Sequence, residues 1–378
     1  MGQLPMRAAV QVALVVCGSL DTVSGGFLYD RQLVSGLRRL GHRVEVVELP
    51  WRSYPGQLAD GLRPQIVRQL THLEADIVLQ DELCHPSLLV ANRWPGHRPP
   101  IVAIVHHLRS DERAPALQRL AFRWAERAFL ASVDACVFNT RATQDSVERL
   151  LGRPMTGVVA SPAGDHLAGF GRPAPPASAN RGGPLRLLFV GNLIPRKGLD
   201  TLLTALESLP PGSWQLDVVG RTDLDTGYSA RLLRQLSSPG WREAVRLWGP
   251  LMDVALADRY RQANLLVVPS EYEGFGIVYL EAMGHGLPVI ASRAGGASEL
   301  VEHGVHGFLV PPRDPAAIRQ HLQTYLAQPS LINRQGAAAL DRARSHPTWS
   351  RSVALVEGLL QRLAADPVGA ISSPLMDF

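Results

Sequence analysis

Four groups of residues in this chain have the types and spacing to do chemistry. The first is the adjacent pair Arg196-Lys197 in the run FVGNLIPRKG, residues 189–198. Lys197 is the single lysine among 38 Lys plus Arg, so at a position where arginine would be the default this chain holds a compact point charge beside a planar fork. On a loop before a helix, such a pair suits a diphosphate, with a solvated basic turn as the plain alternative. The GxxxxGK[ST] spacing of a Walker loop is absent. The second group lies in PSEYEGFGIVYLEAMGHGLPVIASRAGG, residues 269–296, where Gly274-Phe275-Gly276 precedes a helix-like segment. Free backbone N–H groups at such a start make an anion site. Glu281 stands among apolar residues of that segment, where a carboxylate must stay wet or find donors such as sugar hydroxyls. The third group is Gly25-Gly26, after an apolar run at 8–17. The fourth is His106, or its neighbour His107, after the apolar run 101–105.

The elements that must position these residues alternate in type. Apolar runs at 8–17, 42–49, 76–80, 101–105, 135–138 and 156–160 read as strands, and 27–40, 59–73, 114–130 and 141–150 read as helices. Residues 161–184 are rich in Pro, Gly and Ala without a period, which reads as an interdomain linker. The alternation restarts with strands near 185–190, 214–219, 244–248, 264–268, 287–291 and 307–310, and the end is helical. The expected fold class is α/β, two doubly wound Rossmann-like domains facing across a cleft. Expected boundaries are an N-terminal domain at 1–165, a linker at 166–184 and a second domain at 185–347. A C-terminal helix at 348–365 should return to the N-terminal domain, followed by a loose tail at 366–378. In such sheets ligands bind beyond the carboxyl ends of the strands, and all four groups follow strands.

Composition narrows the function. With 46% hydrophobic and 19% charged residues the chain is ordinary for a soluble globular protein. Three scattered cysteines, Cys17, Cys84 and Cys136, make neither a disulfide framework nor a zinc site, and they fit a reducing compartment, hence a cytoplasmic location. The apolar start leads through Gly18, Gly25 and Gly26 into a helix, so it reads as a first strand rather than a signal peptide. A net charge of +4 without a recognition motif argues against nucleic acid. Asp223-Leu224-Asp225 imitates a DxD metal motif but follows a Gly220 turn and reads as a loop. Arg119, Arg123 and Arg127 on the 114–130 helix make a basic amphipathic face, either a solvated face over a core or a peripheral membrane contact.

Taken together, these residues resemble the retaining glycosyltransferases of the GT-B fold, group 1 or family 4, over about residues 8–365. The most specific elements are Glu273 and Glu281, with seven residues between them in EGFGIVYLE, then Arg196-Lys197-Gly198, GLPVIAS with Gly295-Gly296, and Glu299. SGGF at 24–27, Gly41-His42, His106 and the PAGD run at 162–165 match in the first half. The resemblance implies a nucleotide-diphospho-sugar as co-substrate, with no metal and no further cofactor. It implies that Arg196 and Lys197 hold the diphosphate and stabilise the leaving group, and that Glu281 takes the ribose hydroxyls. Glu273 would face the donor sugar, and the N–H groups of Gly274, Phe275 and Gly276 would hold sugar or phosphates. Gly25 and Gly26 would let the N-terminal loop approach the diphosphate, and His106 would hydrogen-bond the sugar near the reacting carbon. The implied reaction is same-face transfer to an acceptor hydroxyl of a small molecule, glycan or lipid, with Glu273 as covalent nucleophile the less favoured route.

Rival readings keep the fold and change the reaction: a nucleotide-sugar epimerase, or a sugar-nucleotide-binding protein without turnover. A pyridoxal phosphorylase conflicts with a lone lysine in the diphosphate loop. An NAD(P)-dependent oxidoreductase conflicts with the missing GxGxxG in either first βα turn.

Overall fold

A computed structural model describes residues 9–95, 98–172 and 183–365. The chain forms two compact units, one made of residues up to Pro162 together with those from Trp349 onward, the other of Ala163–Thr348.

The first unit holds strands β1 (Gln11–Cys17), β2 (Arg43–Leu49), β3 (Ile77–Asp81), β4 (Ile101–Val105), β5 (Ala135–Phe138) and β6 (Gly157–Val159). They form one parallel sheet in the order β2-β1-β3-β4-β5-β6. The central strands β1, β3 and β4 are buried almost along their whole length because helices cover both faces, whereas β2 at the edge alternates buried and exposed positions. The helices are α1 (Gly25–Arg39), α2 (Tyr54–Asp60), α3 (Pro64–Thr71), α4 (His85–Leu88), α5 (Ala116–Leu130) and α6 (Arg141–Leu151). The helix expected at 59–73 is two. Pro64 lacks an N–H and its ring clashes with a preceding helical turn, so α2 ends at Asp60 and Pro64 opens α3.

The second unit holds β7 (Leu185–Val190), β8 (Trp214–Val219), β9 (Val245–Gly249), β10 (Leu265–Val268), β11 (Val289–Ser292) and β12 (Gly307–Val310). Its parallel sheet runs β12-β11-β10-β7-β8-β9. Its helices are α7 (Leu199–Leu206), α8 (Thr226–Leu236), α9 (Pro239–Arg242), α10 (Asp253–Gln262), α11 (Ile277–Gly284), α12 (Ala297–Leu300), α13 (Pro315–Ala327) and α14 (Ser330–Arg344). The last helix, α15 (Trp349–Ala365), belongs to the first unit. Trp349 meets Tyr29 of α1 edge-on at 5.6 Å, and Ser352 Oγ donates to Ser161 O at 2.5 Å.

The stretch expected to be a linker starts differently. Residues 163–172 are turns packed on the second unit: the Phe170 ring fills the space above Gly164 and Gly284, and Gly171 N donates to Gly284 O at 2.8 Å. Gly and Ala here serve close packing, and that composition is the same as a linker's. Residues 173–182 of the expected linker and the expected tail at 366–378 lie outside the described residues. Among the described residues no helix is long and apolar enough to cross a membrane.

Candidate active site

In the second sheet the strand order reverses between β7 and β10, the switch point where open α/β sheets bind ligands. The loop after β7 carries Arg196 and Lys197 in a single 3-10 turn, Pro195–Lys197. The loop after β10 carries Ser270 and Glu273 and leads into α11. Gly198 joins the two loops. Its φ is +72°, and a Cβ there would stand 2.4 Å from the Pro269 carbonyl oxygen, so only glycine lets the turn lie against the second loop. Glu271 N donates to Arg196 O at 2.7 Å and closes the contact.

The sheet thus brings the two expected groups into one cluster. The Lys197 ammonium is ion-paired with Glu273 Oε1, Ser270 Oγ donates to the same oxygen at 2.7 Å, and Arg196 Nη1 stands 4.0 Å from Oε2. Arg196 also donates to the Tyr272 carbonyl at 2.9 Å. Burial opposes ionisation of Glu273, but the charges of Lys197 and Arg196 and the hydrogen bonds from Lys197 and Ser270 outweigh it and bring the carboxyl down to about 2. The family resemblance implies cations on phosphate and Glu273 on sugar. In the folded chain they neutralise each other.

Gly276, with φ +86°, turns the chain into α11, and the Tyr279 hydroxyl donates to Val268 O at 2.6 Å, pinning that helix to the end of β10. Phe275 is buried, with its ring 5.6 Å from His346. Glu281 is 3% exposed and has protein partners: Tyr260 of α10 donates to Oε2 at 2.6 Å, and His166 Nε2 lies 3.3 Å from Oε1. Burial, reinforced by the Glu281 carboxylate, pushes the Tyr260 hydroxyl well above its ordinary value, so it stays a donor. Neither Tyr260 nor His166 carries a spacing signal toward Glu281; a Glu on an apolar helix is the one hint that donors have to exist.

In the first unit, Gly25 and Gly26 are the first residues of α1, capped by Ser24 Oγ accepting from Phe27 N at 3.2 Å. Gly26 faces the His106 ring; a Cβ there would meet its Cδ2 at 3.4 Å. His106 N donates to Glu82, Asn139 Nδ2 donates to His106 O at 2.7 Å, and Tyr29 packs edge-on to the ring at 5.5 Å. Burial keeps this imidazole neutral to lower pH than usual, against the pull of Asp81. His107 points to other work: its Nε2 is 2.8 Å from Glu112 Oε1. The DxD imitation is local structure. Asp223 is paired with Arg221 at 2.7 Å, and Asp225 caps α8 by accepting from Tyr228 N at 2.9 Å.

The chain is similar to known proteins in sequence and in fold. Residues 23–162 match the family model described as Glycosyltransferase Family 4, and residues 173–342 the model described as Glycosyl transferases group 1. The D-inositol 3-phosphate glycosyltransferase of Thermobispora bispora is 34% identical over 307 residues, 75% of this chain and 70% of that protein. Its counterpart in Streptomyces bingchenggensis is 31% identical over 292 residues, 71% of this chain; the match spans 62% of that longer protein. In structure, sucrose-phosphate synthase from Thermosynechococcus elongatus has a TM-score of 0.79 at 22% identity, covering 94% of this chain and 99% of that one. Anabaena HepE, solved in complex with UDP-glucose, has a TM-score of 0.69 at 20% identity, covering 96% and 100%. At these identities the structural likeness is one of fold, and the fold is GT-B.

Proposed function

This chain belongs to glycosyltransferase family 4, and on that premise we propose that it moves a sugar, with retention, from a nucleotide-diphospho-sugar to an acceptor hydroxyl. The observation that carries the reading is the meeting of Arg196-Lys197 with Glu273 at the switch point of the second sheet. A diphosphate arriving there offers the two cations a stronger partner than one carboxylate: Arg196 forks onto two oxygens and Lys197 supplies a point charge. As the glycosidic bond breaks, negative charge grows on the leaving phosphate, where these fixed cations and the N–H groups of Gly274, Phe275 and Gly276 stabilise it. No metal is needed on the diphosphate in this scheme. Glu273, freed from Lys197, accepts from the donor sugar. Glu281 keeps Tyr260 and still has lone pairs for the ribose hydroxyls. His106 hydrogen-bonds the sugar near the reacting carbon, Gly25 and Gly26 admit the diphosphate, and a phosphate oxygen takes the acceptor proton on the same face. The UDP-glucose complex of HepE supports a uridine donor, and the names of the curated relatives support a polyol acceptor.

Calorimetric titration with UDP, GDP and ADP, followed by NMR of the product with a polyol acceptor pool, tests this. The expected result is tight binding of one nucleotide, weakened at least tenfold by Lys197→Ala, and a product that keeps the donor's anomeric configuration. Binding indifferent to Lys197→Ala overturns the site; donor consumed with no acceptor present favours an epimerase; binding without turnover favours a non-catalytic binder.

The surface of α5 extends the proposal to an anionic lipid surface. Leu117, Leu120 and Trp124 are 84%, 64% and 68% exposed, Arg119, Arg123 and Arg127 are exposed beside them, and the one acid of the helix, Glu126, is buried. Apolar side chains flanked only by cations suit an interfacial helix. Sedimentation with phosphatidylglycerol vesicles should carry the protein down, and Trp124→Glu should release it.

A further inference from the structure

Three side chains of the first unit converge from three elements. Asp30 lies on the buried face of α1 with Phe27, Leu33, Val34 and Leu37; Asp81 ends β3; His106 follows β4. Asp30 is fully buried, and neither of its carboxylate oxygens has a hydrogen-bond partner among the described residues. The same holds for Asp81 Oδ2 and His106 Nε2, while Asp81 Oδ1 accepts from Leu83 N at 2.8 Å. One ligand-capable atom from each residue lies within 4.8 Å of the others. Asp30 Oδ1 and His106 Nε2 are 3.9 Å apart, too far for a hydrogen bond and suited to two ligands of one ion with bonds of about 2.1 Å.

Three buried ligand-capable atoms, one from each residue, therefore face one another without a hydrogen bond among them, and each buried polar atom left unmet costs about 1–3 kcal/mol. A proton shared between the two carboxyls would serve one oxygen of each. It would leave the second Asp30 oxygen and His106 Nε2 unserved. A cation serves all three residues at once. The location agrees: the order of the first sheet reverses between β1 and β3, and the cluster stands at the carboxyl ends of its central strands.

We propose that Asp30, Asp81 and His106 bind one divalent cation of the zinc or manganese class, a donor set of two carboxylates and one imidazole. The ion ties α1 to the ends of β3 and β4 and fixes the His106 ring, with Nε2 on the metal and Nδ1 left as an N–H donor. All its ligands belong to the first unit and the diphosphate cations to the second. The ion ties the framework of the first unit together, and its presence is read by metal content and stability, without any assay of sugar transfer. Ligand spacing gives no warning because the three residues lie far apart in sequence and meet only through the parallel sheet.

The test uses full-length protein purified without chelator or metal-affinity resin. Elemental analysis by plasma mass spectrometry should find stoichiometric zinc or manganese. After removal of the metal, added Co²⁺ should give visible d–d bands, and added Zn²⁺ or Mn²⁺ should raise Tm. Asp30→Asn should lose the metal, the bands and the Tm response while keeping the wild-type circular dichroism spectrum. If that variant does not fold, the stripped and reloaded wild-type protein decides alone. Wild-type protein with only traces of metal, no cobalt bands and no Tm response overturns the proposal in favour of a shared proton, as does an Asp30→Asn protein that retains the metal. Loss of donor turnover without any change in these readouts bears on the transferase reading only.

Discussion

Replacing Lys197 by methionine removes the ammonium that neutralises Glu273 while keeping most of the side-chain stem. The Glu273 carboxyl falls from its ordinary 4.5 to about 2 in the folded chain, and each tenfold change in proton affinity is worth about 1.4 kcal/mol, so its ionised surroundings contribute about 3 kcal/mol at neutral pH. Lys197 is the largest favourable contributor, ahead of Arg196 and Ser270, so Lys197→Met should cost about 2 kcal/mol. Because the folded value is depressed, this stability is present above the ordinary carboxyl range and is lost as pH falls from about 4.5 to about 2. At pH 3 roughly 1.4 kcal/mol of the 3 should remain. Hydrogen-exchange mass spectrometry of peptides covering β7, β10 and α11 reads this locally and avoids assuming that a two-unit chain unfolds in one step. Combined with Glu273→Gln in a double-mutant cycle, it should show strong coupling at pH 7 that shrinks at pH 3. A Lys197→Met penalty under about 0.5 kcal/mol, or one equal at both pH values, would refute the ion-pair reasoning.

Other outcomes follow from single contacts. Tyr260→Phe leaves the buried Glu281 carboxylate short of a donor and should lower stability by about 1–3 kcal/mol in thermal unfolding, with little effect expected from the lost oxygen's volume. Gly198→Ala and Gly212→Ala both place a side chain at positive φ, but only the former drives it into a carbonyl oxygen, at 2.4 Å from Pro269 O; Tm should fall markedly for Gly198→Ala and slightly for Gly212→Ala. Gly36→Ala pushes a methyl to 2.5 Å from Val353 Cγ2 and should loosen α15 from α1, seen as faster exchange of α15 amides; adding Val353→Ala should restore protection.

Much of the local grammar of the chain is legible in its residues. Unbroken apolar runs such as Val12–Cys17 and Leu265–Val268, short, rich in valine and bounded by turn residues, read as strands buried on both faces, and the alternation with helices implies a parallel sheet. Glycine loops and rare residue types after strands mark Arg196, Lys197 and Glu273, because a parallel sheet gathers its loops at one end. Composition misleads at 163–172, where small residues made for tight packing look like those of a linker. Periodicity misleads at 59–73, where Pro64 divides one apolar pattern between two helices. Asp30 shares a helical face with Phe27, Leu33 and Leu37, which is a readable anomaly, since a carboxylate on a core face needs a partner.

What the sequence by itself determined is therefore the order of elements, the alternation behind the two sheets and the loops that carry Arg196, Lys197 and Glu273, all of which follow from short-range patterns of polarity, glycine and charge. What only the tertiary structure decided is who partners whom. Lys197 with Glu273, Tyr260 and His166 with Glu281, and Asp30 with Asp81 and His106 join residues far apart in the chain. The strand order that brings them together is set by which sheet faces and edges can be buried at once, a property of the whole packed unit that no local stretch encodes.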